Sequence, residues 1–394
     1  MSRDLRLVAL SLFIWGVGEG MFFYFQPLYI QELGADPVQI GAILGAAGLA
    51  MAIAHIPAGA LADAFGRKGV MVASWIIGMA AAWIMFLSRE LTLFVVGLML
   101  YSLTTFVMSP LASYITAARG SWSVARALTT TSAFFNLGVA IGPVVGGTLA
   151  ERAGLHQVYG FAAALFVPSC AMIFLIHRQP VEPHAGASRF RRLLGQREFL
   201  GLLLLALAVM FGLYLSWPLT PNYLHGVRQI SLGQIGVLGS MNALGVVALN
   251  LGLGRIKPHL GYVIAQVGIG ASVVLLWLAT GFPWLALGYF LGGGRVTARS
   301  LVNAQVETLV QRAEMGLAYG LAETVQSGAL VAAPILAGLL YRVDPALPYP
   351  VGLAWIGVTL VLTLRFGPRP MAARKPPSSP APPSALQSFR RETQ

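Results

Sequence analysis

The sequence predicts an all-α polytopic membrane protein of twelve transmembrane helices in two six-helix pseudo-repeats, and three observations predict it. Of 394 residues, 57% are hydrophobic and only 10% charged, with a mean hydropathy of +0.73, whereas a soluble globular chain carries about 25% charged residues. The apolar residues gather into twelve runs, each near the ~20 residues needed to cross the hydrocarbon core. Two short patterns recur in the same order in the two halves of the chain, the mark of a duplicated unit.

In order, the runs are 7–32, 38–62, 70–88, 91–118, 127–150 and 157–176, then 198–224, 231–254, 259–281, 283–305, 316–341 and 347–366. They are expected to be helices, because a span in lipid must satisfy its own backbone N–H and C=O groups, and barrel strands would be shorter and strictly alternating. Arg3 and Arg6 before the first run imitate a signal peptide. The run is too long for one and no small-residue cleavage site follows promptly, so it reads as a retained first span. With the N-terminus on the cytoplasmic side, the connections that fall inside carry Arg67 and Lys68, Arg119 and Arg126, Arg178 to Arg197, Arg255 and Lys257, and Arg312, and those outside only Arg89, Arg152, Arg228 and Arg342. That asymmetry follows the positive-inside rule at an even span count and places both termini in the cytoplasm of a plasma-membrane protein. It also accounts for the net charge of +12 without nucleic acid, since the basic residues are spread between apolar segments.

The domain organisation expected is an N-terminal half over 1–176, a polar, basic linker over 177–197, a C-terminal half over 198–367 and a disordered cytoplasmic tail over 368–394, which is rich in Pro and Ser and cannot bury a core. The repeat supports the division. Pro27-Leu28-Tyr29-Ile30 precedes Gln39-Ile40-Gly41, and Pro221-Asn222-Tyr223-Leu224 precedes Gln234-Ile235-Gly236; further along, GPVVGG at 142–147 is echoed by APILAG at 333–338.

The segment Gly59-Ala60-Leu61-Ala62-Asp63-Ala64-Phe65-Gly66-Arg67-Lys68, between spans 2 and 3, resembles the signature loop of the major facilitator superfamily, G-x-L-x-D-R-x-G-R-K, with Ala64 in place of a basic residue. Its counterpart, Gly254-Arg255-Ile256-Lys257-Pro258, has no acidic residue. Gly66 suits a turn closed to other residues, and Arg67 with Lys68 keeps the loop inside. The resemblance implies a conformational latch of Gly59, Asp63, Gly66, Arg67 and Lys68, with Asp63 meeting the start of span 11 near Gly316. On span 5, Gly138-x-x-x-Gly142-Pro143-x-x-Gly146-Gly147 resembles the motif of proton-driven antiporters in this superfamily; its small residues allow close helix contact and Pro143 removes a backbone donor. Span 4 has Tyr101-Ser102-Leu103-Thr104-Thr105 where the family often has R-x-x-Q-G. The resemblance further implies two halves around a central cavity lined by spans 1, 4, 7 and 10.

An ionisable group inside a span costs about 2.5 to 3.5 kcal/mol, so each needs a partner or a use. Glu19 lies mid-span, with Trp15, Phe22 and Gln26 on its face at helical spacing. It is one proton-coupling candidate or else a neutralised structural group; Glu323 in span 11 is a second candidate or an arginine's partner. Arg295 and Arg299 stand four apart after Gly292-Gly293-Gly294 in span 10. At depth Arg295 would bind an anion or pair with Glu19, and near the surface both arginines would reach the headgroups. Tyr101 and Thr105 on span 4, and Tyr214, Trp217 and Asn222 on span 7, complete the substrate-cavity candidates. No Walker loop, dinucleotide fingerprint, metalloprotease motif or hydrolase triad stands in a supporting context, and the single cysteine, Cys170, excludes a multi-cysteine metal site. The expectation is a cofactor-free, monomeric secondary transporter rather than an enzyme, exporting an amphipathic small molecule against protons. An importer or exchanger of an organic anion or sugar, and a non-transporting membrane scaffold or sensor, are the alternatives.

Overall fold

The computed structural model describes residues 1–54, 58–179, 195–310 and 315–367, leaving aside the side chains of 58–65, 109, 125 and 315–317. Most of the linker, the whole tail, and the side chain of Asp63 with its expected contact at span 11 therefore lie outside the described residues. No strand occurs among the described residues. Ten helices are long and apolar enough to cross a membrane, and the bent pair within 91–118 makes an eleventh. The remaining expected span, span 10 at 283–305, is divided at Gly293, and its second part carries Arg295, Arg299, Asn303, Gln305 and Glu307, which is why hydropathy alone passes over it.

In the first half, span 1 comprises α1 (Arg3–Phe23) and α2 (Gln26–Glu32), span 2 is α3 (Pro37–Ala54), and span 3 lies within α4 (Ala58–Leu87) after a break at Gly66. Span 4 comprises α5 (Leu91–Leu103) and α6 (Met108–Ala118); spans 5 and 6 are α7 (Val124–Ala153) and α8 (Leu155–Phe174). In the second half, span 7 starts as α9 (Arg197–Leu215) and resumes at Thr220. Spans 8 and 9 are α10 (Leu232–Leu253) and α11 (Pro258–Leu278), span 10 comprises α12 (Phe282–Gly292) and α13 (Gly294–Leu309), and spans 11 and 12 are α14 (Met315–Val343) and α15 (Pro348–Phe366).

Each of spans 1, 4, 7 and 10 is interrupted part-way: at Tyr24 and Phe25 before Pro27, at the 3-10 turn Thr104–Val107 before Pro110, at Ser216 to Leu219 with Pro218, and at Gly293. Proline lacks the N–H that would continue the helix, and freed backbone groups at membrane depth are tolerated where protein or a cavity receives them. The four interruptions thus mark where the spans surround an interior.

Two seams join the halves, and both are built from the repeated patterns. Gly41 in α3 lies against the carbonyl of Pro334 in α14, and Gly236 in α10 lies against the carbonyl of Pro143 in α7. A side chain at either glycine would strike backbone. Gln39 and Gln234, two residues before those glycines, close the N-termini of α3 and α10: Gln39 exchanges bonds of 2.9 Å with Asp36, and Gln234 forms a capping box with Ser231. The described hydrogen bonds between the halves lie away from the chain's N-terminal end. Asn222 Nδ2 donates to the Pro27 carbonyl (3.1 Å) and to Gln31 Oε1 (2.6 Å), Ser240 Oγ to the Ala140 carbonyl (2.6 Å), and Tyr24 Oη to Asn242 Oδ1 (2.9 Å).

Candidate transport cavity

A cavity of about 570 Å³ runs from the interruption of span 1 toward the end of the bundle that carries the N-terminus. It sits off centre, walled mainly by spans 1 to 5, with Tyr214, Trp217 and Pro218 of span 7 and Leu330 and Pro334 of span 11 closing it from the other half. Its walls are aromatic and aliphatic, and Glu19 is the one charged side chain among the described residues that line it. Trp15, Phe22, Gln26, Tyr101 and Thr105, the candidates from spans 1 and 4, all line it.

Glu19 is placed by a packed helix and held by the Tyr101 hydroxyl, with the Trp15 indole beside it. Gly138, Gly142 and Gly146 of α7 lie against the carbonyls of Phe13, Val17 and Met21 of α1, three contacts at one-turn intervals. Gly147 faces α10, and Pro143 lies between the two neighbours, its ring near Gly20 of α1 and its carbonyl against Gly236 of α10. The span 5 motif therefore has two edges, one fixing the helix that carries Glu19 and one forming a seam between halves. Tyr101 Oη donates to Glu19 Oε2 at 2.9 Å, and no cation pairs with Glu19 among the described residues. The Trp15 ring stacks on Phe166 with centroids 4.0 Å apart, and Phe22 meets Tyr101 edge-on at 5.4 Å, giving a rigid aromatic floor.

Arg295 does not line the cavity. It is 5% exposed, its guanidinium carbon lies 3.4 Å from the centroid of the Trp217 ring, and it makes no ion pair or hydrogen bond among the described residues. Trp217, which does line the cavity, therefore carries the arginine on its π-face. Arg299 is engaged differently. Its Nε and Nη2 reach Glu323 Oε2 at 2.7 and 2.5 Å, Nη2 also reaches Ser327 Oγ at 3.2 Å, and Asn303 Nδ2 donates to Glu323 Oε1 at 2.7 Å. Arg299 and Glu323 thus join spans 10 and 11 outside the cavity lining. Asn222, also absent from the lining, makes the inter-half bonds described above.

Gly66 adopts φ +74°, the left-handed backbone its position in the loop motif suggested. The two basic residues after it turn toward the root of the linker: Lys68 Nζ donates to the carbonyls of Phe174 and Ile176, and Arg67 Nη1 to Gln179 Oε1 at 3.5 Å. A cation at the end of α8 suits the negative end of its dipole.

Residues that sequence reasoning passed over include Trp75, Ser11 and Ser169. The Trp75 indole N–H donates to Ser11 Oγ (3.0 Å) and Ser169 Oγ (3.1 Å), and the two hydroxyls bond to one another at 2.8 Å, tying spans 1, 3 and 6 together at the cavity wall. Only the polarity of two isolated serines in apolar runs could have signalled it. Tyr24, Asn242 and Tyr289 were also passed over. Asn242 accepts from Tyr24 and donates to the Tyr289 carbonyl at 2.7 Å, while Trp217 packs against both tyrosines, at 6.4 and 5.1 Å between centroids.

The family profile of the Major Facilitator Superfamily matches residues 8–262 and 202–393. The chain belongs to this superfamily. It is a multi-pass membrane transporter with the two-repeat, twelve-helix layout of that fold. Among characterised relatives, the enterobactin exporter EntS of Salmonella typhi is 27% identical over 395 residues, spanning 91% of this chain and 92% of its own. The quinolone resistance protein NorA of Staphylococcus aureus is 22% identical over 377 residues, 92% of this chain and 96% of its own. The crystal structure of an aspartate-to-alanine mutant of the nucleoside transporter NupG superposes with a TM-score of 0.79 at 15% identity, covering 92% of this chain and 99% of that one, a likeness of fold.

Proposed function

We propose that this superfamily member is a secondary active exporter of the plasma membrane, working by alternating access and moving an amphipathic small molecule outward in exchange for protons. The observation that carries this reading is the cavity wall: one carboxyl, Glu19, in an otherwise aromatic and aliphatic surface. An apolar body fits the rings, and a cationic group and a proton compete for the same carboxylate, which is the requirement for exchange rather than co-transport. The two relatives named for export and for drug resistance support the outward direction. The distribution of basic residues supports an N-terminus in the cytoplasm, so that the described shape presents its cavity to the cytoplasm with the seams closed outside. Glu323, paired with Arg299 between spans 10 and 11, is the second carboxyl assigned to coupling in this scheme; Asp63, Arg67 and Lys68 serve the latch.

The test is flux in liposomes holding the purified protein and an imposed pH gradient. Lipophilic cations should discharge the gradient with the native protein and fail to do so with Glu19→Gln at equal incorporation. Full gradient-driven flux in Glu19→Gln would remove Glu19 from coupling.

A further inference from the structure

Glu19 and Arg295, one from each half, have no ion pair among the described residues, and Trp217, which lines the cavity with Glu19, carries Arg295 on its ring. Glu19, from the first half, opens to the cavity and is met by neutral donors, the Tyr101 hydroxyl and the Trp15 indole. Arg295, from the second half, is buried against the far side of the cavity wall, with the Trp217 ring as its contact. A guanidinium has five donors and is the side chain that most favours two-pronged binding of a carboxylate or phosphate. Its surroundings add hydroxyl groups: Trp217 is flanked by Tyr24 and Tyr289, and the Tyr289 hydroxyl is buried with no hydrogen-bond partner among the described residues. Trp217 itself sits in the interruption of span 7, between Leu215 and Thr220, where no continuous helix fixes its backbone. Arg299, one turn away, is already satisfied by Glu323, so the absence of a partner is particular to Arg295. Burial of an uncompensated cation in a membrane protein is expensive, and a bound anionic group would compensate it where the protein does not.

We propose that the transported molecule is zwitterionic, an aromatic or aliphatic body bearing a cationic group that meets Glu19 and an anionic group that reaches Arg295 by displacing the Trp217 ring. The inference rests on the export reading above, in that the cavity is the substrate site. It narrows the substrate class: a simple lipophilic cation satisfies Glu19 and leaves Arg295 bare, whereas a zwitterion satisfies both and joins the two halves through itself. Trp217 then works as a shutter, covering Arg295 in the empty protein.

The experiment uses sets of three compounds sharing one skeleton: an aromatic amino-carboxylate, its methyl ester (cation only) and its N-acetyl derivative (anion only), on three skeletons of increasing size. Binding to purified protein is measured by calorimetry, and transport in liposomes. The zwitterion should bind about tenfold or more tightly than either relative on at least one skeleton, the loss expected when a charged group is left without its partner. Arg295→Lys should narrow the preference for zwitterion over ester to under about threefold, because a point charge does not replace the planar fork. Because the compound series is read on the native protein, the outcome does not depend on how the variant folds. Ester binding as tight as zwitterion binding on every skeleton overturns the inference and leaves the export reading standing. Failure of all compounds to bind or move on all skeletons overturns both.

Discussion

Gly41 meets Pro334 as Gly236 meets Pro143: in each case the glycine of a Gln-Ile-Gly pattern in one half lies on the carbonyl of the proline in a small-residue pattern of the other. The internal repeat is therefore the pair of seams along which the halves touch, each pattern binding its counterpart's partner. A methyl group at Gly41 or Gly236 would press on backbone that cannot swing aside, and overpacking of this kind costs about 1–3 kcal/mol. Gly41→Ala and Gly236→Ala should each shift the population away from the described shape, and the double variant should show close to the summed effect because the seams are separate. Spin-label distances between the seams' outer ends would report it.

Asn222 adds a polar clasp to the same face by donating to Pro27 and Gln31. Asn222→Leu removes both bonds and leaves Gln31 without that donor, a loss of about 1–3 kcal/mol from the closed seam. Labelling of a cysteine placed at position 28, which is buried in the described shape, by a membrane-impermeant reagent added outside should quicken several-fold in Asn222→Leu. An unchanged rate would show that the glycine contacts hold the seam alone.

Arg299 and Glu323 test what a paired charge contributes between spans 10 and 11. Arg299→Met leaves the Glu323 carboxylate with Asn303 but no cation, and thermal unfolding in detergent should register a loss of about 1–3 kcal/mol. The double variant Arg299→Met with Glu323→Leu should recover much of it, since removing both members leaves no stranded charge. If the double variant were as unstable as the sum of the singles, the pair would not be the source of the effect.

The serine pair beneath Trp75 gives a purely structural prediction. Trp75→Phe keeps an aromatic ring at the wall but removes the indole donor from Ser11 and Ser169, whose hydroxyls still bond to each other. A loss of about 0.5–1.5 kcal/mol in stability is expected by thermal unfolding in detergent.

Much of the fold is legible in the sequence because lipid makes hydropathy and helix length nearly the same quantity. The twelve runs match the described spans to within a few residues at most ends, and span 10 was visible in the apolar frame around Arg295 and Arg299 even though its polarity hides it from a hydropathy threshold. Pairing was less legible. Glu323 was expected as either a coupling group or an arginine's partner, and its pairing with Arg299, like the turn of Asn222 toward Pro27, depends on the relative rotation of helices, which a carboxylate on an amphipathic span does not reveal. The side of Trp217 on which Arg295 lies was likewise invisible, because the interruption at Ser216 to Leu219 breaks the helical phase that would have placed it. Tyr24 and Asn242 escaped notice since each is an ordinary residue whose meaning arises only across the two halves.

The three carbonyl contacts from Phe13, Val17 and Met21 to the glycines of α7 have a consequence for leak. They weld α1 to α7 along two full turns, so the pair tilts as one rod. The opposite edge of that rod is the seam with α10. In the proposed exchange cycle, unzipping this seam and carrying the Glu19 carboxyl from one aqueous compartment to the other would be a single stroke, with no intermediate in which the gate has opened and the carboxyl has stayed behind. A transporter geared in this way has little slip, because neither movement is available without the other.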